Sequence, residues 1–123
     1  MRGGAGDRSG LEGSHALKAL RRELRGEVRT DPLTLGLYST DASIYQVRPQ
    51  AVVFPRTAAD VEATLAVARQ EGIPVTPRGA GTSQGGQAIG TGFVIDTSLS
   101  LQRIVNVDVE AQTAVVEPGV VLD

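Results

Sequence analysis

The chain has no cysteine and no tryptophan, a single histidine at position 15, and no lysine after Lys18. Each absence removes a class of chemistry. Without cysteine, these 123 residues hold no disulfide, thiolate nucleophile, iron–sulfur ligand or cysteine-based zinc site. One histidine cannot build a metal site by itself, so His15 reads as an exposed residue near a loose terminus. Aromatic residues make up 3% of the chain, too few for a base-stacking platform. A formal net charge of -2 and a pI near 5.4 argue against binding to phosphate backbones, so nucleic acid is not an expected partner. No apolar run approaches the roughly 20 residues that cross a bilayer.

What is present is the composition of a soluble globular domain: 41% hydrophobic, 21% charged, mean hydropathy -0.04. The length predicts one small domain that buries roughly two-thirds of its unfolded-chain surface. Residues 1–13 carry five glycines, alternating charge and no apolar core, which reads as a disordered tail rather than a secretory signal. The expected compartment is the cytoplasm, with peripheral membrane association through a partner as the alternative.

Residues 14–49 read as a helix and a connecting segment. Ser14 is a candidate cap for a helix with Leu17, Leu20, Leu24 and Val28 on one face and Lys18, Arg21, Arg22 and Arg25 around it. From Thr30 to Pro49 no single period holds, and Leu33, Leu35, Leu37 and Tyr38 are expected to be partly buried. The third unit, residues 50–123, opens with Ala51-Val52-Val53-Phe54, a continuous apolar run closed by Pro55 and expected to be a strand buried on both faces. Thr57 and the acids Asp60 and Glu62 mark a helix start, with a hydroxyl cap at Thr57, an inner stripe of Val61, Leu65, Ala68 and Val67, and a stop at Gly72. Ile73 to Thr76 returns as a second buried strand, giving a β-α-β unit with parallel strands and a right-handed crossover. Gly92 to Asp96 reads as a further strand, and Leu101 to Val107 with Thr113 to Glu117 as a hairpin. Val120 to Asp123 reads as the opening of another element, as though the domain continued.

Between the second strand and the next lies the densest signal, Pro77-Arg78-Gly79-Ala80-Gly81-Thr82-Ser83-Gln84-Gly85-Gly86-Gln87. Glycines let successive backbone N–H groups turn toward one anion with no Cβ in the way, which suits phosphate and points to a phosphorylated cofactor. Spacing separates the candidate chemistries. A Walker loop needs a lysine followed by serine or threonine, and none follows Lys18. A Rossmann fingerprint needs G-x-G-x-x-G opening into a helix, yet Gly79-x-Gly81 is followed at the third position by Gln84 and no helical period follows. What remains is a loop between two strands whose amides wrap a pyrophosphate, helped by the Thr82 and Ser83 hydroxyls and the Arg78 charge, with a plain flexible surface loop as the alternative.

Five blocks in order now carry a resemblance: Leu37 to Tyr45, Pro49 to Pro55, Thr57 to Val61, Pro77 to Gly86, and Val116 to Val120. Over residues 31–123 the chain resembles flavoprotein oxidases and dehydrogenases of the vanillyl-alcohol oxidase / p-cresol methylhydroxylase (PCMH) type. It is most similar to the branch of the glycolate oxidase D-subunit and D-lactate dehydrogenase, which includes proteins fused to an iron–sulfur reductase domain. The resemblance implies an α+β fold: the N-terminal part of a PCMH-type FAD-binding domain, a small β-α-β subdomain followed by the start of a second mixed sheet. It also implies that Arg78, Gly79, Ala80, Gly81, Thr82 and Ser83 hold the FAD pyrophosphate, with Gly85 and Gly86 completing the bend. Pro55 and the Pro118-Gly119-Val120 turn would lie near the adenosine half. Covalently flavinylated members often carry a histidine near the position of Thr82; its absence here, with no cysteine, implies noncovalent FAD.

By the same resemblance the substrate is a 2-hydroxy acid such as glycolate or D-lactate, oxidised by hydride transfer to the flavin, with an iron–sulfur domain or subunit as one possible electron acceptor. No catalytic side chain is assigned, because in the family these lie beyond the stretch matched here. The carboxylates at hand read as structural: Asp41 as a cap or turn residue, Asp96 as a strand-end acid, Asp108 as a turn former and Glu117 as a solvated strand residue. Tyr38 and Tyr45 read as packing residues with hydrogen-bonded hydroxyls. The competing readings are a non-catalytic module that binds a nucleotide or other anion, and a truncated product with uncovered apolar faces.

Overall fold

The computed structural model describes residues 14–121. The expected disordered tail, residues 1–13, lies outside them. Helix α1 (His15–Glu23) begins where Ser14 accepts the Leu17 N–H at 3.2 Å. It buries Ala16, Leu17, Ala19 and Leu20. The expected longer apolar face breaks at Leu24, the C-cap, and Val28 belongs instead to strand β1 (Glu27–Arg29).

A sequence with no sustained period hides a second short helix, α2 (Pro32–Leu37), capped by Asp31, whose carboxylate accepts the Thr34 N–H at 3.0 Å. Asp31-Pro32 is an N-cap followed by proline at the first helical position, a start signal that needs no period. Only Leu35 of its leucines is buried; Leu33 and Leu37 are exposed, against expectation, because six residues present one narrow face.

Strand β2 (Ala51–Phe54) is buried along its first three residues, and helix α3 (Ala58–Glu71) follows, ending at Gly72 with a left-handed φ of 69°. Thr57 stands at the N-cap but its hydroxyl makes no capping bond. The buried stripe is Asp60, Thr64, Val67 and Ala68, while Leu65 is exposed and Val61 half-buried. The expected stripe is displaced because Asp60 points inward: its carboxylate accepts the N–H groups of Arg25 (3.0 Å), Gly26 (2.8 Å) and Arg56 (2.9 Å). Burial pushes the Asp60 pKa up, but these three donors outweigh it and hold it below the ordinary value.

Strand β3 (Val75–Arg78) starts later than expected and is half-buried rather than buried, as an edge strand carrying Pro77 must be. Strand β4 (Phe93–Asp96) is buried throughout. The sheet order is β1-β2-β4-β3, with β1 antiparallel to β2 and the other pairs parallel. Strands β2 and β3 are thus parallel, as the β-α-β reading requires, but β4 lies between them. Alternation sends Ala51, Val53, Phe93 and Ile95 to the side of α1 and α3, where they form the core with Leu17, Leu20, Val67 and Ala68. Val52 and Val94 face the other side, where α2 contacts β2. Phe93 is fully buried, and truncating a phenylalanine in such a site costs about 3–5 kcal/mol.

Strands β5 (Ile104–Asp108) and β6 (Thr113–Val116) form a separate antiparallel hairpin, exposed at every position. Asp108 accepts the Ala111 N–H at 3.1 Å and so forms the turn as expected. Leu101 is buried but precedes the strand. Glu117 is not a freely solvated strand residue: it follows β6 and accepts the Arg103 N–H at 2.9 Å. Among the described residues no helix is long and apolar enough to cross a membrane.

Candidate functional site

The glycine loop occupies residues 79–92, leaving the C-terminal end of β3 and returning to β4. In parallel sheets this end of the strands is where ligands bind, because the connecting loops open a crevice there. Two loop residues have positive φ, Gly81 at 74° and Gly86 at 83°. An L side chain is strained at either position. Gly85 has no such constraint, and its N–H is already given to Gln87 Oε1 at 3.1 Å. Among the described residues, the amides of residues 79–84 donate to no protein acceptor, nor do the Thr82 and Ser83 hydroxyls. A Cβ added at Gly79 would meet nothing within 4 Å, so the backbone there is open to an approaching group.

Beside Gly79 lies a cavity of about 550 Å³ walled by Val61 and Leu65 of α3, Val75 and Pro77 of β3, Ile95 of β4 and Pro118. The helix side chains that failed to enter the core therefore have a surface to line. This wall is apolar, whereas the adjoining loop offers backbone donors, a division that matches a ligand with one ring-bearing part and one anionic part. Pro118 and Gly79 meet at this cavity, and Gly119 packs tightly, its N–H donating to the Leu101 carbonyl at 2.7 Å. Pro55 is fully buried and does not line it. Val120 donates its N–H to Glu117 C=O at 3.1 Å and closes the turn.

Arg78 does not reach out along the loop. Its guanidinium lies 4.8 Å from the centre of the Tyr38 ring, against Gly81, and Nη1 donates to the Thr40 carbonyl at 2.7 Å. Tyr38 packs edge-on against Phe54, ring centres 5.6 Å apart, and donates its hydroxyl to Asp96 at 2.5 Å. Burial first, then the carboxylate, raises the Tyr38 pKa. Asp96 also accepts the Ser98 N–H and hydroxyl, at 2.7 and 2.6 Å, so it serves the strand end as expected. Tyr45 is the exception to the packing expectation: it is more than half exposed, its ring lies beside Gly86, and its hydroxyl has no partner among the described residues. Asp41 forms the expected turn, accepting the Ser43 N–H at 2.8 Å, and further accepts the Ala88 N–H at 3.2 Å, a link no sequence signal announced. His15 is exposed and lies 3.4 Å from Glu71. No cluster of metal-ligating side chains occurs among the described residues.

Known proteins resemble this chain in sequence and in fold. The chain is 45% identical over 96 residues to a D-2-hydroxyglutarate dehydrogenase of Escherichia coli (strain K12), covering 76% of this chain and 9% of that protein. It is 34% identical over 87 residues to the glycolate oxidase subunit GlcD of Bacillus subtilis (strain 168), covering 69% of this chain and 18% of that one. The chain thus spans about a tenth of the length of the first relatives it matches. Its fold is that of p-cresol methylhydroxylase solved with substrate bound (TM-score 0.69, 20% identity, 90% of this chain and 23% of that one). It is equally that of alkyldihydroxyacetonephosphate synthase (TM-score 0.73, 18% identity, 85% and 22%). These likenesses confirm the PCMH-type α+β fold, and because residues 49–123 match the family described as FAD binding domain, the chain belongs to that family.

Proposed function

We propose that the chain is the FAD-binding portion of a flavin-dependent oxidoreductase that oxidises a 2-hydroxy acid, with FAD held noncovalently. The observation that carries this reading is the 79–84 run of unpaired amides, bent by Gly81 and Gly86 beside an apolar cavity, inside the stretch that matches the FAD-binding family. The residues fit the group: the amides of Gly79 to Ser83 would hold the pyrophosphate, and the cavity beside Gly79 and Pro118 would take the adenosine end. Pro55 would act only as support from beneath, since it is buried. When bound, the flavin supplies hydride acceptance from the carbon that bears the substrate hydroxyl. This chain's contribution is binding and orientation, and Asp41, Asp60, Asp96 and Glu117 each accept backbone amides, which gives them structural roles.

The substrate class rests on the relatives, which are named D-2-hydroxyglutarate dehydrogenase and glycolate oxidase subunit. Glycolate and D-lactate therefore stand beside D-2-hydroxyglutarate as candidates, with an iron–sulfur centre as candidate electron acceptor and the cytoplasm as compartment. The test is bleaching of the bound flavin's visible absorbance on anaerobic mixing of the flavin-loaded protein with each acid. Bleaching by a D-2-hydroxy acid supports the reading. Stable FAD binding with no bleaching by any of the three favours a non-catalytic nucleotide-binding module.

A further inference from the structure

A loop of 14 residues with no regular structure keeps one shape only if something outside it holds it. Here the external hold comes from residues 39–47, far away in sequence. That segment folds back on itself: Val47 donates its N–H to Ser39 C=O at 2.8 Å, and Thr40 pairs with Gln46. Inside the turn Ser43 donates its N–H to Asp41 Oδ1 and Tyr45 donates its N–H to Ser43 Oγ at 3.1 Å. The resulting tongue lies along the loop, with the Tyr45 ring against Gly86.

Two charged side chains join tongue to loop in opposite directions. Asp41 Oδ2, from the tongue, accepts the Ala88 N–H at 3.2 Å. Arg78, from the loop's root, donates to Thr40 C=O at 2.7 Å and approaches Ala88 C=O at 3.4 Å. Ala88 is thereby held by both its amide and its carbonyl, and it is buried. We propose that Asp41 and Arg78 are positioning residues that lock Ala88 and, through it, fix the glycine loop in the shape that presents the amides of residues 79–84. The proposal rests on the FAD reading for its ligand but not for its geometry.

Charge supports this assignment. A carboxylate beside a pyrophosphate site repels the ligand, so a purely electrostatic Asp41 would weaken anion binding and its removal would tighten it. A positioning Asp41 has the opposite sign. Arg78 in turn gives its Nη1 to the Thr40 carbonyl and lies against Gly81, so its contacts hold the guanidinium at the loop's root.

The experiment measures backbone amide exchange in the ligand-free chain and equilibrium dialysis against FAD, for the wild type, Asp41→Ala and Asp41→Asn. Losing a bond to a charged acceptor predicts roughly ten- to hundred-fold weaker FAD binding for Asp41→Ala. Exchange at Ala88 should rise by a similar factor while strands β2 and β4 keep wild-type protection. Asp41→Asn, which keeps one acceptor oxygen, should fall between. Unchanged exchange at Ala88, or FAD binding as tight as or tighter than wild type, overturns the proposal, as does a uniform rise in exchange across β2 and β4, which is general destabilisation. If the wild-type chain binds no FAD, the flavin reading fails on its own, and exchange at Ala88 still decides the positioning role.

Discussion

Tyr38 gives its hydroxyl to Asp96 at 2.5 Å while Arg78 covers its ring, so the segment after α2 is fastened to the ends of the two strands that flank the glycine loop. Residues from three separate stretches of sequence meet there, on the face of the sheet opposite the main helices. These contacts anchor the loop's root.

Tyr38→Phe keeps the edge contact with Phe54 and removes only the hydroxyl. A buried carboxylate deprived of one donor costs about 1–3 kcal/mol. Urea denaturation should show a lower midpoint with an unchanged slope. A midpoint equal to wild type would mean that the Ser98 donors satisfy Asp96 alone.

Asp60→Ala strips three backbone amides of their acceptor, at Arg25, Gly26 and Arg56, and so loosens α1, β1 and α3 at once. The expected loss is about 2–4 kcal/mol. Thermal unfolding of the variant measures it, and a loss below about 0.5 kcal/mol, the range of ordinary surface changes, would show that the amides find water instead.

Acid should destabilise the chain through the carboxylates held below their ordinary range. Asp31 is held down to about 2 from its ordinary 3.8, first by the Thr34 amide and then by Arg29 and the Thr34 hydroxyl. The Ser43 hydroxyl lowers Asp41 most, and the Arg103 amide lowers Glu117 most. A group whose folded pKa is depressed contributes stability above its unfolded pKa and loses it as pH falls through the folded value. Stability should therefore be level near neutrality and fall between pH 3.8 and about 2, a decline that Asp31→Asn makes shallower in urea titrations at stepped pH. An equal slope in the variant would remove Asp31 from the account.

How much of this was legible in the sequence depends on what each signal measures. Ser14 and Gly72 marked helix ends because caps are local chemistry. Half of the expected inner stripe of α3, Val67 and Ala68, is buried, but Val61 and Leu65 are not, because apolar periodicity assumes that polar residues face water, whereas Asp60 and Thr64 turn inward to bond backbone. The insertion of β4 between β2 and β3 is not legible in the strands themselves, since β2 and β4 are both short apolar runs and strand order is set only on folding. At the site, the loop announced itself by its glycines, but its fastening did not: Asp41 and Ala88 are joined by folding alone. Nor could spacing say that Arg78 would turn back toward Thr40.

Gly79 and Gly81 separate folding from binding. Gly79→Ala meets open space, so it should fold normally, yet its methyl would stand where a ligand must approach the amide. FAD affinity should drop roughly ten-fold with no shift in unfolding temperature. Normal affinity in Gly79→Ala would move the pyrophosphate further along the loop.

The central claim, that the amides of residues 79–84 hold the FAD pyrophosphate, is tested most directly by equilibrium dialysis of the wild-type chain and Gly81→Val against FAD, with ADP and FMN alongside. At φ 74° a β-branched residue cannot keep the loop's bend. The account predicts that the wild type binds FAD and ADP in preference to FMN, and that Gly81→Val loses roughly a hundred-fold or more in affinity for both. Undiminished FAD binding by Gly81→Val would contradict it.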